Sequence, residues 1–183
     1  DPQPKSRMVG SLGAEFASPE QLKGERITTA SDMYAAGVLF YWLLCGQHPH
    51  AQALTDLATL AGATINFDPE APSARLERLM TSVSRSDYED LAAFSRSTEE
   101  DPDRIARSIE GELDAIALKM LRRDPAARYQ SVGEALRDFQ RMREDRTVSA
   151  LPDTRAYRLN KWILRYPVVA SFALVSSLGL LLG

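Results

Sequence analysis

Histidine and cysteine side chains offer the most reactive chemistry, and this sequence contains two histidines and one cysteine. His48 and His50 flank a proline, and such a pair could hold a metal ion, but no further ligands accompany them. Cys45 lies inside an apolar run, which favours a small buried hydrophobe over a reactive thiol. No Ser/His/Asp or Cys/His arrangement is supported. The sequence therefore predicts no metal site and no nucleophilic catalysis by these residues.

Carboxylate groups are the second set of candidates. We expect Asp114, Asp124 and the acids of the run "STEED" at 97–101 to be solvated carboxylates of loops or helix caps. Local sequence alone also allows Glu20 to be a solvated glutamate in a first helical turn. On the same grounds Asp32 is an ordinary acid near the start of a helix, where negative charge is favourable.

The stretch "ASPEQL" predicts the start of a helix. Ser18 suits the N-cap, Pro19 suits the first helical position, and Gln21 completes an S-x-x-Q capping box. The cap accounts for these three residues but leaves Glu20 between them without a specific role.

The elements that would position these residues are helical. The chain has 183 residues, of which 44% are hydrophobic and 26% charged, as in an ordinary globular domain. Its formal net charge of −3 speaks against nucleic-acid binding. No strand pattern of any strength appears, so the sequence predicts a mainly α fold.

The strongest helical pattern is "SDMYAAGVLFYWLLCG", with Ser31 as the expected N-cap and Gly46 as the expected stop. It is apolar almost all round, which is typical of a helix buried at the centre of a domain. A second helix should end at Asp124-Pro125, and a capping box of Ser131 and Glu134 should open a last one. The expected apolar face of that last helix comprises Val132, Ala135, Leu136, Phe139 and Met142.

The character of the chain changes after Val148. A basic stretch carries Arg155, Arg158, Lys161 and Arg165, and residues 166–183 contain no charge. That apolar length predicts a transmembrane helix, and the basic flank predicts that its N-terminal side is cytoplasmic. The alternative is a buried C-terminal helix of a larger domain.

Four elements in this order resemble those of the large lobe of bacterial, membrane-anchored, eukaryotic-like serine/threonine protein kinases. Residues 18–20 match the A-P-E element, and "DMYAAG" at 32–37 matches D-x-[WY]-x-x-G. "DPAARY" at 124–129 matches D-P-x-x-R-[YF], and "LPDTRAYRLNKWILRY" is similar to the juxtamembrane stretch of one kinase subgroup. The resemblance covers residues 8 to about 170.

The resemblance implies an incomplete, helical kinase-like lobe followed by a transmembrane helix. Residues 1–148 would be the C-terminal part of a kinase domain, 149–165 a basic juxtamembrane segment and 166–183 a truncated transmembrane helix. In the family the A-P-E glutamate pairs with the late arginine, here Glu20 and Arg128. Asp32 resembles the family's aspartate that accepts hydrogen bonds from the catalytic-loop backbone.

The resemblance also implies a substrate-facing loop and candidate phosphorylation sites. The loop would comprise Ser11, Leu12, Gly13, Ala14, Glu15 and Phe16. Gly13-Ala14 departs from the threonine-proline that the family commonly has there, which raises the alternative of a pseudokinase or a membrane-tethered signalling scaffold. Ser6 and Ser11 are candidate phosphosites, where a phosphate could order the loop against arginines.

The sequence has no glycine-rich loop, V-A-I-K lysine, H-R-D-x-x-x-x-N or D-F-G, and phosphoryl transfer depends on these motifs. The resemblance therefore implies that ATP and Mg²⁺ are bound by residues outside this chain, which alone is not expected to be active. The full-length protein would transfer the ATP γ-phosphoryl group to serine or threonine hydroxyls of protein substrates. It would be a single-pass protein of the inner or plasma membrane, with a cytoplasmic kinase portion, and could form a dimer.

Overall fold

The computed structural model describes residues 13–82 and 84–168. These residues form α-helices and short 3₁₀ turns without a strand, which confirms the prediction of a mainly α fold. The helices are α1 (Pro19–Lys23), α2 (Thr29–Cys45), α3 (Leu57–Asn66), α4 (Pro72–Thr81), α5 (Arg85–Thr98), α6 (Pro102–Ile109), α7 (Glu112–Met120), α8 (Val132–Arg143) and α9 (Arg155–Arg165). The 3₁₀ turns are Ala14–Phe16, Ala51–Ala53 and Pro125–Ala127.

The start of α1 confirms the predicted capping box. Ser18 is the N-cap, and its backbone N–H donates to Oε1 of Gln21 at 2.8 Å. Pro19 opens the helix, where the missing N–H is not needed. Local side-chain chemistry is therefore sufficient to place this helix.

The start of α2 corrects one prediction, because the N-cap is Thr28 and not Ser31. The Thr28 hydroxyl accepts a hydrogen bond from the backbone N–H of Ala30 at 3.3 Å. Ser31 is already inside the helix, and its hydroxyl donates to Glu20 instead. The predicted end of the helix is confirmed, since Gly46 stops it in the left-handed conformation with a φ of 72°.

The first compact unit, Asp1–Val132, is built around α2, which packs against α4 and α7. Helix α4 also packs against α5 and α6, and α1 packs against α3. The core consists of Tyr34, Val38, Tyr41, Cys45, Leu76, Leu79, Phe94, Ala106 and Leu121. Cys45 is fully buried as predicted, and burial raises the pKa of its thiol to about 12, so it stays protonated at neutral pH.

The prediction that α2 is buried all round is wrong for one of its sides. Leu39, Trp42 and Leu43 are 50%, 46% and 78% exposed, respectively. The opposite side is closely packed, and a Cβ added at Gly37 would lie 2.8 Å from the Cβ of Met120 on α7. The absence of a side chain at Gly37 therefore permits the close approach of α2 and α7.

Asp114 corrects a second prediction, because it is buried and not solvated. Its carboxylate accepts hydrogen bonds from the backbone N–H and the hydroxyl of Ser73 near the start of α4. Asp124 and Asp101 do serve as helix caps, as predicted, for the turn 125–127 and for α6.

The second compact unit, Gly133–Gly183, contains most of α8 and all of α9. The fully buried carboxylate of Asp138 on α8 accepts hydrogen bonds from the hydroxyl and N–H of Ser149 and from the N–H of Ala150. These bonds hold the connection between the helices against α8. The predicted apolar face of α8 is only partly correct, because Ala135 is buried but Val132 and Leu136 are exposed.

Helix α9 carries the basic residues of the predicted juxtamembrane segment. Within residues 13–82 and 84–168, no helix has the length and apolar character needed to span a membrane. The predicted transmembrane helix at 166–183 falls, from residue 169 onwards, outside the described residues.

Candidate functional site

An ion pair joins the start of α1 to the segment that follows α7. Arg128 donates from Nη1 to Oε1 of Glu20 and from Nη2 to Oε2, each at 2.8 Å. Both side chains are almost completely buried. The two parallel bonds match the planar guanidinium to the planar carboxylate, which is the geometry that makes arginine–carboxylate pairs strong.

The guanidinium of Arg128 has a partner for each of its N–H groups. Besides the two bonds to Glu20, Nη1 donates to the carbonyl of Ala30 at 2.7 Å, and Nε donates to that of Arg122 at 2.6 Å. Nη2 also donates to the carbonyl of Arg123 at 3.2 Å. Arginine has five such donors, so none is left unsatisfied in the interior. Arg128 thus connects α1, the first turn of α2 and the turn after α7.

Glu20 is equally well satisfied and is held in its charged form. Burial alone raises the pKa of this carboxyl, but hydrogen bonds from Arg128 and Ser31 outweigh it and lower the pKa to about 2. The Ser31 hydroxyl lies 2.7 Å from Oε1. The Arg128 guanidinium also lies 5.0 Å from the ring centre of Tyr34, a cation–π contact.

The turn before α1 contains the described part of the predicted substrate loop. Ala14–Phe16 form a 3₁₀ turn, Gly13 is exposed, and Phe16 packs against the core. The backbone N–H of His50 donates to Nδ1 of His48 at 3.0 Å. The proton of the His48 ring therefore lies on Nε2, which donates to the carbonyl of Glu15 at 2.8 Å. His48 thus fastens the loop to the connection after α2.

The other predicted site residues that the structure describes do not contact the Glu20–Arg128 pair. Asp32 is exposed in the first turn of α2, and within the described residues its carboxylate has no hydrogen bond or ion pair. Ser6, Ser11 and Leu12 lie outside the described residues.

Metal binding has no support among the described residues, which contain no group of three or more potential ligands. His48 is occupied by the hydrogen bonds above, so the His-Pro-His pattern has a structural use. Glu20 and Arg128 satisfy each other and expose no proton or lone pair to a reactant. The arrangement can fix a loop onto a helical core, but it cannot by itself transfer a proton or a phosphoryl group.

Three residues of the site were not predicted: Ser31 and Tyr34 at the ion pair, and His48 at the turn before α1. Ser31 and Tyr34 lie one turn apart on α2 and contact the ion pair. These contacts arise from the packing of α2 near Arg128, which the local sequence does not show. The pattern around His48 indicated at most a metal ligand. The short spacing to His50, which permits the His50 N–H bond, was the only local signal.

Comparison with known proteins relates the chain to serine/threonine kinases. It is 35% identical over 89 residues to the "Probable serine/threonine-protein kinase PknB" of Lactococcus lactis, which covers 45% of this chain. It is 31% identical over 137 residues, or 75% of its length, to the "Probable serine/threonine-protein kinase SCO3848" of Streptomyces coelicolor. It is 29% identical over 129 residues, or 70%, to the "Serine/threonine-protein kinase PknB" of Mycobacterium tuberculosis.

These matches cover only 14% to 16% of the length of the relatives. No protein-family model matches the chain. The similarity supports a kinase-like relationship and agrees with the helical architecture described above.

Proposed function

We propose that the chain is the C-terminal part of the helical lobe of a serine/threonine protein kinase. The observation that carries this proposal is the buried Glu20–Arg128 pair, because it joins two motifs that the kinase resemblance expects to pair. The pair fixes α1 onto α2, and the bond from His48 to Glu15 holds the 14–16 turn in place, as a substrate platform requires. The relatedness to named serine/threonine kinases supports the same conclusion.

In this proposal the full-length protein transfers the γ-phosphoryl group of ATP to serine or threonine hydroxyls of protein substrates. ATP and Mg²⁺ would be held by motifs outside this chain, since the glycine-rich loop, the H-R-D motif and D-F-G are all missing from its sequence. Asp32, exposed at the start of α2, would be free to accept hydrogen bonds from the catalytic-loop backbone.

The exposed side of α2 is consistent with this arrangement. Leu39, Trp42 and Leu43 form an apolar surface on the central helix, and a further helix of the lobe would cover it. The basic helix α9 and the uncharged stretch after it support a membrane anchor, with the kinase portion in the cytoplasm. The proposal therefore places the protein in the inner or plasma membrane as a single-pass protein.

The test is a phosphoryl-transfer assay on the protein extended by its preceding sequence, with ATP, Mg²⁺ and a generic serine/threonine substrate protein. We expect transfer by the extended protein and none by the 183-residue chain alone. Glu20→Gln should reduce transfer at least tenfold, because the substrate platform loses its attachment. Arg85→Gln, which alters an exposed arginine of α5, should leave transfer unchanged.

A pseudokinase is the second candidate, favoured by Gly13-Ala14 in place of threonine-proline. It predicts that the extended protein transfers no phosphate, with or without detectable ATP binding. The kinase proposal is refuted if the extended protein does not bind ATP and its preceding sequence lacks the kinase motifs. The remaining proposal would then be a membrane-tethered signalling scaffold.

A further inference from the structure

Helix α9 turns a polar side toward its own unit. The hydroxyl of Tyr157 accepts a hydrogen bond from the backbone N–H of Val148 at 3.1 Å, and Nζ of Lys161 lies 3.7 Å from Oδ1 of Asp145. Tyr157 and Lys161 are one turn apart and are the least exposed residues of the helix. The packed side of α9 is therefore held by polar contacts.

The opposite side of α9 is apolar and exposed. It consists of Leu159, Trp162 and Ile163 of the helix and its C-cap Tyr166, at the i, i+3, i+4, i+7 spacing that places residues on one face. Their exposed fractions are 57%, 41%, 43% and 43%, respectively. A surface helix usually has the reverse arrangement, with its apolar face toward the domain. A contiguous exposed apolar face marks a surface that contacts a protein or a membrane.

Positive charge accompanies this apolar face. Helix α9 carries four basic residues and no acid, and the second unit has eight basic and five acidic side chains, although the whole chain has a net charge of −3. Arg158 lies 3.5 Å from Asp153, in a pair that is more than half exposed and therefore weak. Among the described residues, Arg155 and Arg165 have no carboxylate partner. The surface thus favours an anionic partner.

A cleft of about 210 Å³ adjoins the apolar face. Four basic side chains line it against a single carboxylate, that of Asp145. One of the four, Arg146, forms an exposed pair with Glu144 at 3.4 Å. Trp162 and Tyr166 of the apolar face line the same cleft, with ring centres 6.2 Å apart. Cationic and apolar groups therefore lie next to each other, as the phosphate and the acyl chains of a phospholipid do.

We propose that α9 lies along the surface of a bilayer that contains anionic phospholipids. Its apolar face inserts between the headgroups, and its arginines donate to the headgroup phosphates. Indole and phenol rings favour the membrane–water interface, and arginine can keep its guanidinium among phosphates while its methylene groups contact apolar surface. A helix with one basic and one aromatic-rich apolar side is typical of this interfacial position.

The inference adds an orientation and a lipid class to the membrane anchor proposed above. It rests on α9 alone and requires neither a membrane span after Tyr166 nor phosphoryl transfer by the full-length protein.

Site-directed spin labelling measures the depth of individual residues. A nitroxide is attached to the 183-residue chain at one introduced cysteine, either Leu159→Cys or Ile163→Cys on the apolar face, or Asn160→Cys or Leu164→Cys beside it. Cys45 is fully buried with a raised thiol pKa and should not take the label, which the unsubstituted chain checks. The chain is reconstituted with vesicles of equal parts phosphatidylcholine and phosphatidylglycerol. The accessibility of each label to oxygen is compared with its accessibility to a water-soluble nickel complex.

We expect the oxygen-to-nickel ratio to be several-fold higher at 159 and 163 than at 160 and 164, because the depth of a helix lying in the interface follows the helical period. A ratio that instead rises steadily from 159 to 164 indicates a helix that runs into the bilayer, and it overturns the proposal. Four labels open to the nickel complex also overturn it. So do labels at 159 and 163 that are shielded from both reagents, as they would be by a second copy of the chain.

Removal of charge tests the lipid class. The double variant Arg155→Gln/Arg165→Gln should lose most of the contrast between the two pairs of positions. Arg137→Gln/Arg143→Gln removes the same charge from exposed positions of α8 and should retain the contrast. The contrast of the wild-type chain should be smaller on phosphatidylcholine alone, whose headgroups have no net charge.

Equal losses in the two double variants, or equal contrast on both kinds of vesicle, would refute the role of anionic lipids. Binding to the anionic vesicles but not to phosphatidylcholine would support this inference and contradict the membrane anchor proposed above.

Discussion

Asp114 on α7 caps the start of α4, because its carboxylate accepts hydrogen bonds from both the N–H and the hydroxyl of Ser73. Both residues are buried, so neither has water as an alternative partner. The two helices are separated in the sequence by α5 and α6, so this contact joins α4 to α7 across the two intervening helices.

Asp114→Ala should destabilise the chain by about 1–3 kcal/mol, because two donors of Ser73 lose their acceptor in the interior. Chemical denaturation measures the loss. Asp124→Ala, which removes an exposed cap, is the control and should cost less. A loss at Asp114 no larger than the loss at Asp124 would contradict the structural role described for Asp114.

Glu20 and Arg128 should be strongly coupled in a double-mutant cycle. Glu20→Ala and Arg128→Ala should each cost about 3–5 kcal/mol, because each strands a buried charge, and the double variant should cost much less than their sum. Arg128→Lys should recover only part of the loss, since an ammonium group cannot make the two parallel bonds. The exposed pair Arg85–Glu89 is the control and should show no measurable coupling.

The stabilisation from Glu20 should depend on pH in a defined direction. The folded-state pKa of about 2 lies below the ordinary value of 4.5, so the unfolded state takes up the proton first. The contribution is therefore complete above about pH 4.5 and is lost as the pH falls towards 2. The difference in unfolding free energy between wild type and Glu20→Gln should shrink across that window; a constant difference would argue against a lowered pKa.

Two glycine substitutions should have opposite effects. Gly37→Ala should destabilise by about 1–3 kcal/mol, because the new Cβ would lie too close to Met120 on α7. Gly62→Ala on α3 meets no atom within 4 Å and should stabilise by roughly 0.5–1 kcal/mol through helix propensity. Midpoints of urea unfolding compare the two directly, and equal signs would contradict the packing described between α2 and α7.

Asp138→Ala should loosen the second unit locally. The amide protons of Ser149 and Ala150 lose their acceptor and should exchange with solvent about tenfold faster or more. Arg141→Gln, which removes only a half-exposed partner of the same carboxylate, should have little effect on them. Hydrogen exchange monitored by NMR distinguishes the two variants.

The elements that were predicted from sequence are those with local causes. The capping box of Ser18 and the glycine stop at Gly46 depend on residues within one turn, and both are present. The N-cap of α2 was misassigned because Thr28 and Ser31 are both suitable caps. The side chain of Glu20 on α1 distinguishes them, because it accepts a hydrogen bond from the hydroxyl of Ser31 on α2.

Properties that depend on distant packing were beyond local inference. Nothing around Asp114 in the sequence indicates that it will be buried and will accept hydrogen bonds from Ser73, 41 positions away. Glu20 and Arg128 were connected through family resemblance, since no local pattern relates residues separated by 108 positions.

That separation has a consequence for how the chain folds during synthesis. At typical rates of about 5–20 residues per second, Arg128 leaves the ribosome roughly 5–20 s after Glu20. Until Arg128 has been synthesised, the carboxylate of Glu20 lacks the cation that it pairs with in the interior. We therefore expect α1 to remain solvated until the end of its unit is available. The last residues of the unit to be synthesised thus determine when its first helix can pack against the rest of the unit.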